Sequence, residues 1–206
     1  MPSRFEFRSE HDAALRYFYV PAVPRPPAVQ TQWVSFRFRS EGMVRHSPGS
    51  HFAIVLAAEL GFAEDGRPIT ISGRGMTLGD TSAAWAPPDN PHAAAPGFGG
   101  ARGAQIESFW TTGNFIYREH RLLDRGLADA TNYHVHLHVN AGRWIAFWIL
   151  GDDGRPLDPR GHTCVQDRVE HPVTPDRTGL LIALGRGDVE TGPWSAVFDE
   201  LVWGWF

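Results

Sequence analysis

The 206-residue chain contains no lysine, a single cysteine, and no apolar run long enough to cross a bilayer as a helix. With only Cys164, no internal disulfide and no paired-cysteine metal knuckle can form. All 19 basic residues are arginine, and against 23 acidic residues they leave a formal net charge of -4. The broad basic field that grips phosphate backbones is therefore missing, and nucleic acid is not an expected partner. The longest apolar stretches, His51 to Leu60 and Arg143 to Leu150, reach about half of the ~20 residues a spanning helix needs, so no membrane partner is expected. Met1 to Glu10 alternates charged with aromatic residues and lacks the apolar segment of a secretory signal, which points to a soluble, cytoplasmic chain.

What the chain does have is apolar residues for a core, 42% against 20% charged, arranged for short strands. Its 22 glycines and 16 prolines are spread along the whole length and interrupt every pattern that could become a long helix. Thr31 to Ser40 alternates, with Val34, Phe36 and Phe38 on one face and Trp33, Ser35, Arg37 and Arg39 on the other. Further strands are expected at Phe5 to Arg8, His51 to Glu59, Pro68 to Thr77, Gly103 to Trp110, Tyr133 to Asn140, Arg143 to Gly151, Thr163 to Arg168, Gly179 to Leu184 and Ser195 to Trp205. Glu10 to Phe18 and Arg118 to Ala128 carry mild helical periodicity. Pro21 to Pro27, with prolines at 21, 24, 26 and 27, reads as a polyproline-like strap. Trp85 to Gly103 reads as a long loop, and Gly73-Arg-Gly75 and Gly185-Arg-Gly187 as turns. The expectation is all-β: one domain over 1-206, an antiparallel β-sandwich with its terminal strands adjacent and an N-terminal strap over about 1-30.

Tyr133 to Leu150 is the most informative stretch. Asn140-Ala141-Gly142 fits a three-residue hairpin loop closed by a left-handed glycine. That loop sets Val139 opposite Arg143, His138 opposite Trp144, His136 opposite Ala146 and His134 opposite Trp148. One face then holds Val135, Leu137, Val139, Ile145, Phe147 and Ile149. The other presents three imidazoles and two indoles.

An exposed row of Trp and His is costly unless something binds it. Trp144 and Trp148 offer flat apolar faces to the C–H face of a sugar, while Arg37, Arg39, Gln105, Glu107, His134, His136 and His138 can hydrogen-bond its hydroxyls if their strands share a sheet. The expected function is carbohydrate binding, with a glycan as partner and no cofactor. If the protein is an enzyme, Glu107 beside His136 is the acid/base pair, for sugar hydrolysis or for removing a proton next to a uronate carboxylate held by Arg37 or Arg39. The competing reading is structural: a homo-oligomer or the Trp85 to Gly103 loop covers the wall. A metal ion on His134, His136 and His138 would need Glu107 or His120 as a further ligand, and solvent-facing histidines are preferred, so no metal is expected. Asp152-Asp153-Gly154 with Asp158 reads as a solvated turn rather than a calcium loop.

Two resemblances bear on these residues. YHVHLHV, Tyr133 to Val139, followed by Gly142-Arg143, is similar to the signature of the histidine-triad nucleotide hydrolases. That likeness implies His136 as a nucleophile on phosphorus, supported by His134 and His138, although Asn140 departs from the motif and the family's small α+β frame is not recognisable here. More broadly, GAQIESFW at 103-110, YHVHLHVNAGRWIAFWIL at 133-150 and VFDELVWGW at 197-205 resemble the concanavalin A-like lectin and glucanase superfamily. This implies a jelly roll whose concave sheet binds glycans. The glucanases of that superfamily carry two or three acidic residues where this chain has Glu107 alone, with Gln105 and Phe109 at the other same-face positions. Gln105-Ile106-Glu107 also resembles the Gln-Ile-His segment of alginate lyases.

Overall fold

The computed structural model describes residues 4-9, 17-26, 28-47, 50-62, 64, 68-79, 105-112, 115-122, 127-140, 144-156, 163-166, 177-185 and 190-206. Among these residues twelve strands form two six-stranded sheets, every pairing antiparallel. The first sheet has the order β1 (Phe5–Arg8), β12 (Ser195–Trp205), β3 (Thr31–Glu41), β8 (Asn132–Asn140), β9 (Trp144–Gly151), β10 (Thr163–Gln166). The second has the order β2 (Tyr17–Pro24), β11 (Arg177–Gly185), β4 (His51–Phe62), β5 (Pro68–Gly79), β6 (Gln105–Thr112), β7 (Phe115–Leu122). The chain changes sheets repeatedly, so β1 and β12 end as neighbours, as expected from sequence.

Alternation decides the layers. Val34, Phe36 and Phe38 of β3 and Val135, Leu137 and Val139 of β8 are buried, while Trp33, Ser35, Arg37, Arg39, His134, His136 and His138 between them are half-buried on the outside. The core between the sheets is aromatic. Phe198 of β12 lies 4.9 Å from Phe5, 5.2 Å from Phe36 and from Phe38, and 5.0 Å from Phe52 across on β4. A four-residue helix, α1 (Met43–His46), follows β3. The Asp129 carboxylate caps it, accepting from the Val44 and Arg45 amides at 3.1 Å and from the Ser40 hydroxyl at 2.9 Å.

Several expectations need correction. Tyr17–Pro24 is a strand, so the described part of the N-terminal strap belongs to the sandwich. Prolines are tolerated there because β2 is an edge strand, and Pro21 falls where its register with β11 shifts between Thr178 and Leu180. The helical periodicity at Arg118 to Ala128 gives way over its first part to β7, another edge strand. Gly73-Arg-Gly75 lies inside β5, not in a turn; a Cβ on Gly75 would collide with the Ile54 carbonyl of β4. Residues 80-104 and 10-16, which hold the Trp85 to Gly103 loop and most of the other helical segment, lie outside the described residues.

The β8–β9 hairpin keeps the expected faces but slips by two residues. His136 pairs with Trp148, His138 with Ala146, His134 with Leu150 and Val139 with Ile145. The cause is Asn140. It is buried and donates from Nδ2 to the Thr31 hydroxyl at 2.9 Å, so the strand extends to Asn140 itself.

Since Phe198 touches rings from both sheets, Phe198→Ala should leave a cavity that neither sheet can close. The expected loss is about 3–5 kcal/mol of unfolding free energy, read from urea denaturation followed by fluorescence. A loss under about 1 kcal/mol would place the main packing contact elsewhere.

Candidate functional site

The outer face of the first sheet is built in rows, because cross-strand partners stand side by side. At one end Val197, Arg39 and Asn132 align, then Asp199, Arg37, His134 and Leu150. Val202, Ser35, His136 and Trp148 follow, then Gly204, Trp33, His138 and Ala146. Phe206 closes the face beyond them, bonded through its backbone to Thr31. Charge collects at the first end and rings at the second.

The rings touch in series. His136 stacks on Trp148 at 5.1 Å and 19° between planes, His138 meets the same indole at 4.7 Å, and Phe206 meets His138 edge-on at 5.3 Å. Trp148 is therefore engaged by its own neighbours. Trp33 behaves differently: a Cβ placed on Gly204 would lie 3.3 to 3.5 Å from its Nε1, Cε2 and Cζ2. The half-buried indole packs against the bare backbone of the glycine on this face. Val202 at 52% and Phe206 at 59% exposure flank this ring.

The charged end is internally paired. Arg37 meets Glu200 at 3.2 Å and Arg39 meets Glu41 at 2.6 Å. Asp199 accepts the Glu200 amide at 2.8 Å, and Asn132 donates to Asp152 at 3.1 Å. In the imidazole row, burial holds His136 below the usual histidine pKa, with His138 and His134 adding like-charge repulsion; burial lowers His138 too. Both are neutral at pH 7, each with one N–H and one acceptor nitrogen.

Of the sequence-derived site residues, Arg37, Arg39, His134, His136, His138 and Trp148 share this face. Trp144 opens β9 and pairs with Gln166, its side chain being outside the described ones. Gln105 and Glu107 do not belong here. They lie on β6 of the second sheet, where Glu107 pairs with Thr77 and His120, so the first sheet itself separates them from outward-facing His136. The proposed Glu107–His136 acid/base pair is thereby excluded, as is either Glu107 or His120 as a third ligand beside the histidine row. Among the described residues, no group of three or more His, Cys, Asp or Glu could hold a metal ion. The histidine row is a strand inside a sandwich, and α1, four residues long, is the single helix described, so the frame of the histidine-triad reading is not the frame found. In the turn after β9, Asp153 accepts the Arg155 amide and Gly154 takes a φ of 70°, a turn-forming role as expected. The candidate residue that sequence reading passed over is Trp33. Its signal was Gly204 in an aromatic strand, legible only once β12 is known to pair with β3.

A scan of protein-family models and a search of curated protein sequences gave no match. Among solved structures, the fold is similar to a legume lectin-like domain from Entamoeba histolytica, with a TM-score of 0.51 at 10% identity over 89% of this chain and 74% of that one. Also similar are alginate lyase A1-II', a member of polysaccharide lyase family 7 (TM-score 0.45, 10% identity, 86% of this chain and 63% of that one), and CG-16, a homodimeric agglutinin from chicken liver (0.46, 7%, 91% and 99%). Their lower scores add nothing to the fold assignment. The fold is the antiparallel, concanavalin A-like jelly-roll sandwich that the sequence resembled. No helix among the described residues is long and apolar enough to cross a membrane.

The lowered imidazole pKa values make a stability prediction. An unfolded histidine titrates near ~6.5 and the folded His136 and His138 below that, so the unfolded chain binds more protons in between. Stability from these groups is complete above pH ~6.5 and is lost as pH falls through the folded values. Thermal melts between pH 8 and pH 4.5 should therefore fall less steeply for a His136→Gln/His138→Gln variant than for the native chain. Parallel curves would show that the two imidazoles are not held neutral by the fold.

Proposed function

We propose that the protein binds carbohydrate on the outer face of its first sheet, with Trp33 as the stacking platform. The observation that carries this reading is the half-buried Trp33 indole packed against Gly204 on this face, beside Ser35, His136 and His138. Sugar rings present axial C–H bonds to such a surface and hydroxyls to its rim, and neutral imidazoles both donate to and accept from hydroxyls. Trp148 supports the site by holding His136 and His138 in place. Arg37 and Arg39 stand further along the same face. The likeness in fold to a legume lectin-like domain agrees with this reading at the level of architecture.

Calorimetric titration with oligosaccharides selected on a glycan array tests it. Trp33→Ala should weaken binding about tenfold or more, whereas Glu107→Gln, on the other sheet, should leave affinity unchanged. If Glu107→Gln abolishes binding and Trp33→Ala does not, the glycan site lies on the second sheet and this proposal fails.

A further inference from the structure

We infer that the glycan taken by this face is a neutral one, not a uronate or sulfated sugar; the inference rests on the carbohydrate reading above. The arginines that could hold an acidic sugar already face carboxylates. Arg37 stands 3.2 Å from Glu200 and Arg39 2.6 Å from Glu41, and at the sheet edge Arg8 stands 2.9 Å from Glu6. Asp199 lies opposite Arg37 across the β12–β3 ladder and adds a further negative charge to that row. None of these pairs is strong, because the Arg37, Glu200, Arg39 and Glu41 side chains are 37%, 62%, 41% and 50% exposed and surface ion pairs contribute little. What decides is the sign of the field. An incoming carboxylate or sulfate meets at least as much negative as positive charge along these rows, so it gains no net attraction and must displace a resident glutamate to reach a guanidinium.

The platform end points the same way. Trp33, Ser35, His136 and His138 carry no charge at neutral pH, and His136 and His138 are held neutral by burial. A neutral imidazole or a serine hydroxyl both gives and takes a hydrogen bond, which matches a sugar hydroxyl. A carboxylate only accepts, so it can take the N–H of an imidazole but offers nothing to its acceptor nitrogen. The ligand chemistry that satisfies both ends of the face is a hydroxyl-rich, uncharged pyranose chain.

The test is calorimetry at low ionic strength with tetrasaccharides of neutral hexoses and of hexuronates matched in linkage. The native protein should bind one or more of the neutral series and bind the hexuronate counterpart at least tenfold more weakly. Glu200→Gln/Glu41→Gln, which frees both guanidiniums, should raise hexuronate affinity roughly three- to tenfold and leave neutral-glycan affinity within about twofold. Tighter hexuronate binding by the native protein, or no gain in the double variant, would overturn the neutral assignment and leave the carbohydrate reading standing. Failure to bind either series, with folding intact by circular dichroism, would instead overturn the carbohydrate reading.

Discussion

The register between β12 and β3 is the constraint on which the outer face depends, and a bulge sets it. From Ser195 to Asp199 the even residues of β12 point inward, with Ala196 and Phe198 buried. Between Asp199 and Val202 the pairing shifts by one residue, at Glu200 with a φ of 52°. Beyond the shift Leu201 and Trp203 pack on the core instead. A left-handed backbone at a glutamate costs about 1 kcal/mol or more, so the core contacts on both sides of the bulge must hold it there. Without that extra residue Trp203 would stand opposite Trp33, and Gly204 would pair elsewhere. Trp33 meets Gly204 because the core of β12 changes parity midway.

Core packing and surface chemistry are thus one problem in this sheet. Phe198 anchors the first half of β12 among Phe5, Phe36, Phe38 and Phe52, and Trp203 anchors the second. Between these anchors the strand has no freedom to slide, so Trp33 is held over Gly204. On the opposite side of β3 the bond from Asn140 to Thr31 performs a similar service for β8: it fixes the last rung and with it the pairing of His136 with Trp148.

Much of the fold was legible because alternation survives in the sequence wherever a strand has one buried and one open face. β1 and β12 were read to the residue, and the wall of β3 and β8 was assigned to its correct faces. The failures have physical causes. β2 hides behind its prolines, which an edge strand accepts. β7, FIYREHRL, carries charged residues that also suit a helix, and only its pairing with β6 shows it as a strand. The bulge in β12 was written in the sequence as a parity change, from Ala196 and Phe198 to Leu201, Trp203 and Trp205. Sheet membership was not written anywhere. GAQIESFW and YHVHLHV are equally good strands, and only the chain's crossings between sheets separate Glu107 from His136.

That separation limits the chemistry open to this sandwich. Facing sheets lie about 10 Å apart around a filled core, so side chains on the two outer faces never meet. A catalytic pair must be assembled from one face alone. Among the described residues on the outer face of the first sheet, Glu200 and Glu41 face arginines, and Asp199 accepts the Glu200 amide. His136 and His138 pack against Trp148 and Phe206, while His134 stands in the row of Arg37 and Asp199. Among the described residues, this face sets rings and hydrogen-bonding groups at one end and arginine–carboxylate pairs at the other, and the proposed carbohydrate reading rests on that division.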